Sequence, residues 1–510
     1  MQDENNSSKE TQSQSNSLLI IIGVVAVVTL LCVAVSAFVI SSLPDGVLPT
    51  RAAQAEVDRT LQPGTPTPTL EPPTVPQIGG RSIGDPYIPE LGNTGYNVQR
   101  YTLRLALDPA QKYIRGTTTI EAVSALHGLS ELSLDFIGYD VSTVLVNGTP
   151  AEYRREGKKL VITLPGLLSA EESFSMAVEY EGQPVEEQSP YLRFVEHLGL
   201  HYPDQQSLFI IDEPDGARYV FPANDHPRDK ATFRFELIVP QGLTAVANGR
   251  LLNTEAAALA DGRNGTLFIW EHNYPMATYL AVIAAGEYER VDNTSPQGIP
   301  IRHYVFPDSL ADHAAADVIT GEALDWMSGL FGPYPFEAYG HVTANVSGAS
   351  LETQSMVLLS ANMIGQRTIA HEMAHMWFGN WVSLDSWGEM WRNEGFATYV
   401  QTMWETQDDP EALELQIEGF RSAVEGNNKS YPLGNPPTEF LFDFNIYVGG
   451  AVAVHELRQE VGDEAFFAGL RLYFERYGGG TASDSEFQAV MEEASGQSLD
   501  AFFAQWLPKS

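Results

Sequence analysis

The segment His371-Glu372-Met373-Ala374-His375 sets two imidazoles four positions apart around a carboxylate. On a helix, residues four apart stand one turn above each other on the same face, so both rings can reach a single cation. The flanks Thr368-Ile369-Ala370 and Met376-Trp377-Phe378 suit a buried helix. With 11 histidines in 510 residues, a chance match to H-E-x-x-H has a probability on the order of one or two percent. Two histidines do not fill a zinc site, because catalytic zinc takes three protein ligands and keeps its fourth corner for water. Glu394, nineteen positions after His375, lies in the helix-prone stretch Trp391-Arg392-Asn393-Glu394-Gly395-Phe396-Ala397 and completes a His, His, Glu set for one Zn2+ ion. Glu372 is one residue from a ligand and so on another edge of the helix. There it can take the proton of a water held by the metal and later deliver it to a leaving amine. The expected reaction is hydrolysis of an acyl bond, most simply a peptide bond. The nine other histidines form no comparable pair and are read as satisfied core side chains.

These residues need a scaffold, and the chain supplies two kinds. Residues 85–300 alternate with period two and are broken by turn signals, as in Leu132 to Phe136, Val141 to Val146, Leu160 to Leu164, Phe174 to Tyr180 and Phe233 to Val239. This predicts an all-β N-terminal domain. From about 310 the pattern becomes helical, and Trp326, Trp377, Trp381, Trp387 and Trp391 gather where an aromatic-lined cleft could form. The tail holds at least three amphipathic helices, Ile446 to Val461, Glu464 to Tyr477 and Ser498 to Leu507, each stopped by Gly or Pro.

Ahead of the domains, residues 1–17 are a polar tail and Leu18 to Ile40 run without a charge, long enough for a transmembrane helix. The alternative is a secretory signal cut after Ala37, which would leave a secreted protein. Residues 41–84, rich in Pro and Thr, read as a disordered stalk that lifts the globular part off a membrane on its extracytoplasmic side. The chain carries 66 Asp and Glu against 29 Lys and Arg, a formal charge of -37. That excludes nucleic-acid binding, which needs a basic footprint. At 44% hydrophobic and 19% charged residues the composition is nonetheless that of a protein with a large core. The single cysteine, Cys32, rules out a disulfide framework or a Cys-rich zinc knuckle, so any metal sits on His and carboxylate.

The metal motif with N-E-G-F-A resembles the aminopeptidase N family of zinc metallopeptidases, of the gluzincin type. The resemblance runs over roughly residues 90 to 510. It includes Glu213-Pro214-Asp215-Gly216-Ala217-Arg218, then Phe221-Pro222-Ala223-Asn224-Asp225-His226-Pro227, Tyr274-Pro275-Met276-Ala277-Thr278-Tyr279-Leu280, Trp377-Phe378-Gly379-Asn380 and the terminal Ala501-Phe502-Phe503-Ala504-Gln505-Trp506. It implies an α+β multidomain fold: the β domain, saddle-like, then a thermolysin-like α/β catalytic domain over 301–435 and a helical tail over 436–510 that completes the cleft. The family's exopeptidase segment, usually G-x-M-E-N, falls on Ala349-Ser350-Leu351-Glu352-Thr353, which keeps the carboxylate while its neighbours drift. The resemblance gives Glu352 and Glu213 the grip on the substrate's free amino group, and Tyr447 the oxyanion of the tetrahedral intermediate. Further departures are Met376 after the second His, Arg392 before N-E-G and Ala223 in place of Cys.

The reading is a membrane-anchored zinc aminopeptidase acting on peptides with a free N-terminus, with no obligate protein partner. Two alternatives stay open: an endopeptidase of the same fold, and a non-catalytic surface protein that binds peptides.

Overall fold

Period-two alternation puts every second side chain on one face of a sheet, and this pattern builds the first half of the molecule. The computed structural model describes residues 72–508 apart from positions 194, 347, 408, 428–430 and 435. Its largest element is an eight-stranded sheet ordered Arg250–Ala258, Asn264–Met276, Ala231–Pro240, Tyr96–Asp108, Tyr113–Ser124, Ser173–Gly182, Asp140–Val146, Thr149–Pro150. Neighbours are antiparallel except the central pair Ala231–Pro240 and Tyr96–Asp108, which runs parallel. Leu103, Leu105 and Leu107 face inward. A bulge between Val98 and Arg100 shifts the phase by one, so Tyr101 joins them and Arg100 turns out to pair with Glu271 at 2.6 Å. Every strand expected from alternation falls within an observed strand or overlaps one by all but an end residue.

Two boundaries differ from the sequence reading. The stalk was expected to reach residue 84, yet Gln77–Ile78 pairs in parallel with Leu129–Asp135, and the Gly79 amide donates to the Glu131 carbonyl at 2.9 Å. Pro and Thr before this point carry no sign of where pairing begins. The β domain was expected to end at 300, yet Glu289–Thr294 pairs with Pro300–Val305, which lies parallel to Tyr339–Ala344, itself parallel to Val357–Ser360. The second domain's sheet therefore starts at 289; a hairpin alternates alike in either domain, so periodicity could not assign it. The expected polar tail, membrane span and most of the stalk lie outside the described residues. Among the described residues, no helix is long and apolar enough to cross a membrane.

The second domain adds the helices Leu310–Asp317, Thr320–Phe331, Gln366–Ala374, Trp391–Glu405 and Pro410–Gly426; the first two pack on Gln366–Ala374, which packs in turn on Trp391–Glu405. The tail adds Gly450–Val461, Asp463–Tyr477, Asp484–Ser495 and Asp500–Trp506. Asp484–Ser495 is absent from the sequence reading, although its start carries a capping box: the Ser483 hydroxyl accepts the Glu486 amide and the Glu486 carboxylate accepts the Ser483 amide. The tryptophans do not line a cleft as expected. Trp377, Trp387 and Trp391 are 1%, 0% and 2% exposed and pack the core beneath it, because a large ring contributes more buried inside than at a wet rim.

Candidate metal centre and cleft

The helix Gln366–Ala374 carries His371 in its last turn, and His375 caps it with helical backbone angles, φ -59° and ψ -22°. The chain then turns back tightly. The Asn380 amide donates to the His375 carbonyl at 3.1 Å, and Gly379 adopts φ 111°. A Cβ at Gly379 would stand 2.8 Å from the Asn393 side chain, so glycine is required both for the turn and for closure on the next helix. That helix, Trp391–Glu405, is buried along nearly its whole length and brings Glu394 to the two imidazoles.

The three predicted ligands converge. His371 Nε2 is 3.2 Å from Glu394 Oε2, His375 Nε2 is 3.5 Å from the same oxygen, and the two Nε2 atoms are 3.4 Å apart. Ligands of a tetrahedral zinc at bond lengths of about 2.0–2.1 Å stand about 3.3 Å from one another, so the set fits a zinc ion with one corner open. The opposite ring nitrogen of His375 is held as a metal-bound histidine requires. Its Nδ1 donates to the Phe378 carbonyl at 3.1 Å. That partner was not readable from the sequence.

The electrostatics point the same way. Burial alone would raise the Glu394 carboxyl, but His375 and His371 beside it hold it down at about 2. Burial opposes charge on His375, yet Glu352 and Glu394 push it up to about 10. Burial drives Glu372 well above the usual carboxylate range, opposed by His375 and reinforced by Glu352 and Glu394. Four carboxylates thus share one pocket, and among the described residues none of the four is ion-paired with a lysine or arginine. A buried cluster of this kind is a site for cations.

The cavity above the metal position is about 460 Å³ and is lined by Glu213, Glu352, Glu372, His371 and Tyr447, with Phe442 and Phe444 at its apolar side. Glu213, Glu352 and Glu394 present oxygens within 4.8 Å of one another. Glu213 Oε1 and Glu352 Oε1 are buried and make no hydrogen bond. Asn380 donates to the Glu352 backbone carbonyl at 2.7 Å and fixes that segment to the turn after the metal helix. Tyr447 sits in a wide π-turn, Asn445–Gly449, ahead of the helix expected to begin at Ile446, and its ring lies 6.2 Å from that of His371 at 18°. Burial, followed by Glu394, Glu213 and Glu352, keeps its hydroxyl protonated far into the alkaline range.

Further residues position this site. Arg392, a departure in the sequence, is buried and clamps the start of the Glu394 helix to the tail: its Nε donates to Asp484 at 2.7 Å and its Nη1 to the Tyr473 hydroxyl at 2.7 Å. Gly395 meets Gly450 so closely that a Cβ on Gly395 would stand 2.7 Å from the Gly450 Cα, which locks the Glu394 helix against the helix that follows Tyr447. Lys230, just ahead of the strand Ala231–Pro240, reaches across to the Asn380 and Trp381 carbonyls at 2.8 and 3.2 Å.

A β domain followed by a helical domain with a His, His, Glu centre defines a zinc-peptidase architecture. The sequence matches the Peptidase M1 N-terminal domain over residues 97–280 and the Peptidase family M1 domain over 336–506. It is 27% identical to aminopeptidase N of Streptomyces lividans over 80% of this chain and 50% of that protein. To human aminopeptidase N it is 28% identical over 64% of this chain and 36% of that one. The structure superimposes on an M1 zinc metallopeptidase from Deinococcus radiodurans with a TM-score of 0.77 at 28% identity, covering 84% of this chain and 97% of the other. The chain belongs to peptidase family M1. It spans about half the length of the Streptomyces relative.

Proposed function

We propose that the protein is a membrane-anchored zinc aminopeptidase that releases the first residue of peptides. The observation that carries this reading is the pair of orphaned, buried carboxylate oxygens, Glu213 Oε1 and Glu352 Oε1, beside the metal ligands. A buried anion without a partner is costly, and a substrate ammonium placed between the two relieves both. The short reach from these oxygens to Glu394 allows only the first peptide bond to lie over the metal position.

His371, His375 and Glu394 would hold the zinc, which would supply a Lewis acid there. Glu372 takes a proton from the attacking water and passes it to the leaving amine; its raised proton affinity suits it to hold that proton between the two steps. The Tyr447 hydroxyl donates to the oxyanion as charge develops there. Glu213 and Glu352 orient the substrate by its ammonium. A related variant from Deinococcus radiodurans is described as bound to a Tyr-Ser-Ala substrate, which supports peptides as the substrate class.

The test is a panel of peptides with free and N-acetylated termini, with and without a strong chelator. Cleavage of the free forms alone, abolished by chelation and restored by zinc, is expected. Equal cleavage of acetylated peptides would instead indicate an endopeptidase. Anchoring is supported by the uncharged run Leu18 to Ile40 and the Pro/Thr-rich stretch after it. The full chain should stay with membranes through alkaline carbonate washing; a soluble product beginning at Phe38 would show a cleaved signal.

A further inference from the structure

A second group of metal-type donors lies outside the cleft. His303 on the strand Pro300–Val305, His341 on the adjacent strand Tyr339–Ala344, and His313 and Asp317 on the helix Leu310–Asp317 each offer a ligand atom within 4.8 Å of the other three. The sequence reading took these histidines as satisfied core side chains, and they are indeed buried. Parallel pairing sets His303 beside His341 in register, and the three imidazoles are 0–2% exposed. Chains rarely bury three imidazoles and a carboxylate together, because each polar nitrogen must find a partner.

The three rings pack on one another with centroids 4.5 to 5.4 Å apart, and the packing also brings their nitrogens to ligand spacing. His313 Nε2 and His341 Nδ1 are 3.2 Å apart, within the ligand spacing seen at the first centre. His303 Nε2 and Asp317 Oδ1 stand 3.0 Å apart, yet both are buried without an aligned hydrogen bond. The outer contacts assign the roles. His341 Nε2 stands 3.1 Å from the Tyr339 hydroxyl; with that hydroxyl accepting, Nδ1 carries the lone pair on the side of His313. His303 Nδ1 accepts the His341 backbone amide at 3.1 Å, so its proton is on Nε2, 3.0 Å from Asp317 Oδ1 but not aligned with it. His303 thus has no lone pair for an ion and stands beside the carboxylate, and the ligands are the other three. A cavity of about 350 Å³, lined by His313 and Asp317 together with Asn293 and Glu322, gives an ion a route in and leaves a fourth position for solvent.

We propose that His313 Nε2, His341 Nδ1 and the Asp317 carboxylate bind a second divalent transition cation of the zinc type, oriented by His303 and Tyr339. Imidazole with one carboxylate suits such a cation and not calcium or magnesium, which prefer all-oxygen shells. The ion ties the helix Leu310–Asp317 to the catalytic sheet, and that helix packs directly on Gln366–Ala374, which carries His371. Its position under the catalytic helix makes it a clip on the scaffold rather than a participant in turnover.

The full chain, stripped with a chelator and dialysed, is titrated with Co2+ while d–d absorption is followed, and the zinc-reloaded protein is assayed for metal per chain. Two ions per chain are expected for the wild type and one for His313→Ala/Asp317→Asn; His371→Ala should retain one, at the outer position. One ion in the wild type, or two in His313→Ala/Asp317→Asn, overturns the proposal. If the double variant does not fold, anomalous scattering at the zinc edge from wild-type crystals decides. A peak between His313 and His341 is expected, and a single peak at His371, His375 and Glu394 refutes it.

Discussion

The two clusters of metal-type donors differ in what surrounds them. Around His371, His375 and Glu394 the protein places three further carboxylates, Glu213, Glu352 and Glu372, two of them with oxygens that touch no donor. Around His303, His313, Asp317 and His341 the partners are the Tyr339 hydroxyl and the His341 backbone amide, and Glu322 lines the adjoining cavity. The first arrangement gathers four carboxylates around one cavity, two of them with orphaned oxygens; the second has a single carboxylate, itself orphaned at Oδ1, among imidazoles. On the proposed reading, surplus carboxylate rather than the ligand set itself marks the centre that takes a cationic substrate.

That contrast can be broken most sharply at Glu372. Glu372→Gln should lower kcat by about 10²–10⁴ while both ions remain bound, the range expected for removal of a general base; steady-state kinetics alongside elemental analysis would check it. Tyr447→Phe comes next, with a loss in kcat of about 10²–10³ and little change in metal content, as for removal of one oxyanion donor. Glu213→Gln or Glu352→Gln should each cost about 10- to 100-fold in kcat/KM on free-amine peptides, since a charge-assisted hydrogen bond is worth about 1.5–3 kcal/mol. If either variant left that ratio unchanged, the amine subsite would lie elsewhere. The smallest effect is expected at Gly395→Ala, where the added methyl meets backbone: about 1–3 kcal/mol of stability by urea unfolding, with a fall in kcat as Tyr447 is pushed from the metal ligands.

What the sequence made legible followed the distance along the chain. His371 and His375 are four apart, and Glu372 lies between them, so helical geometry alone joined them. The alternating strands of the β domain were legible for a similar local reason. Tyr447 and Glu213 could be named only through the family resemblance, because no spacing rule connects them to the metal motif. His303, His313 and His341 come from two strands and a helix, and nothing in their spacing announces that a parallel register makes two of them neighbours. Arg392 read as a mere departure, and only the tail helix beginning at Asp484 shows why a buried guanidinium is tolerated there.

The contact between Gly395 and Gly450 joins the ligand helix to the tyrosine's helix at a point with no side chain on either partner. Such a joint has no rotamer to relax and no methyl group to yield. The gap between the metal's carboxylate and the hydroxyl that faces it is therefore set by main chain against main chain, and a reaction path tuned to that gap inherits a tolerance far tighter than soft side-chain packing would give.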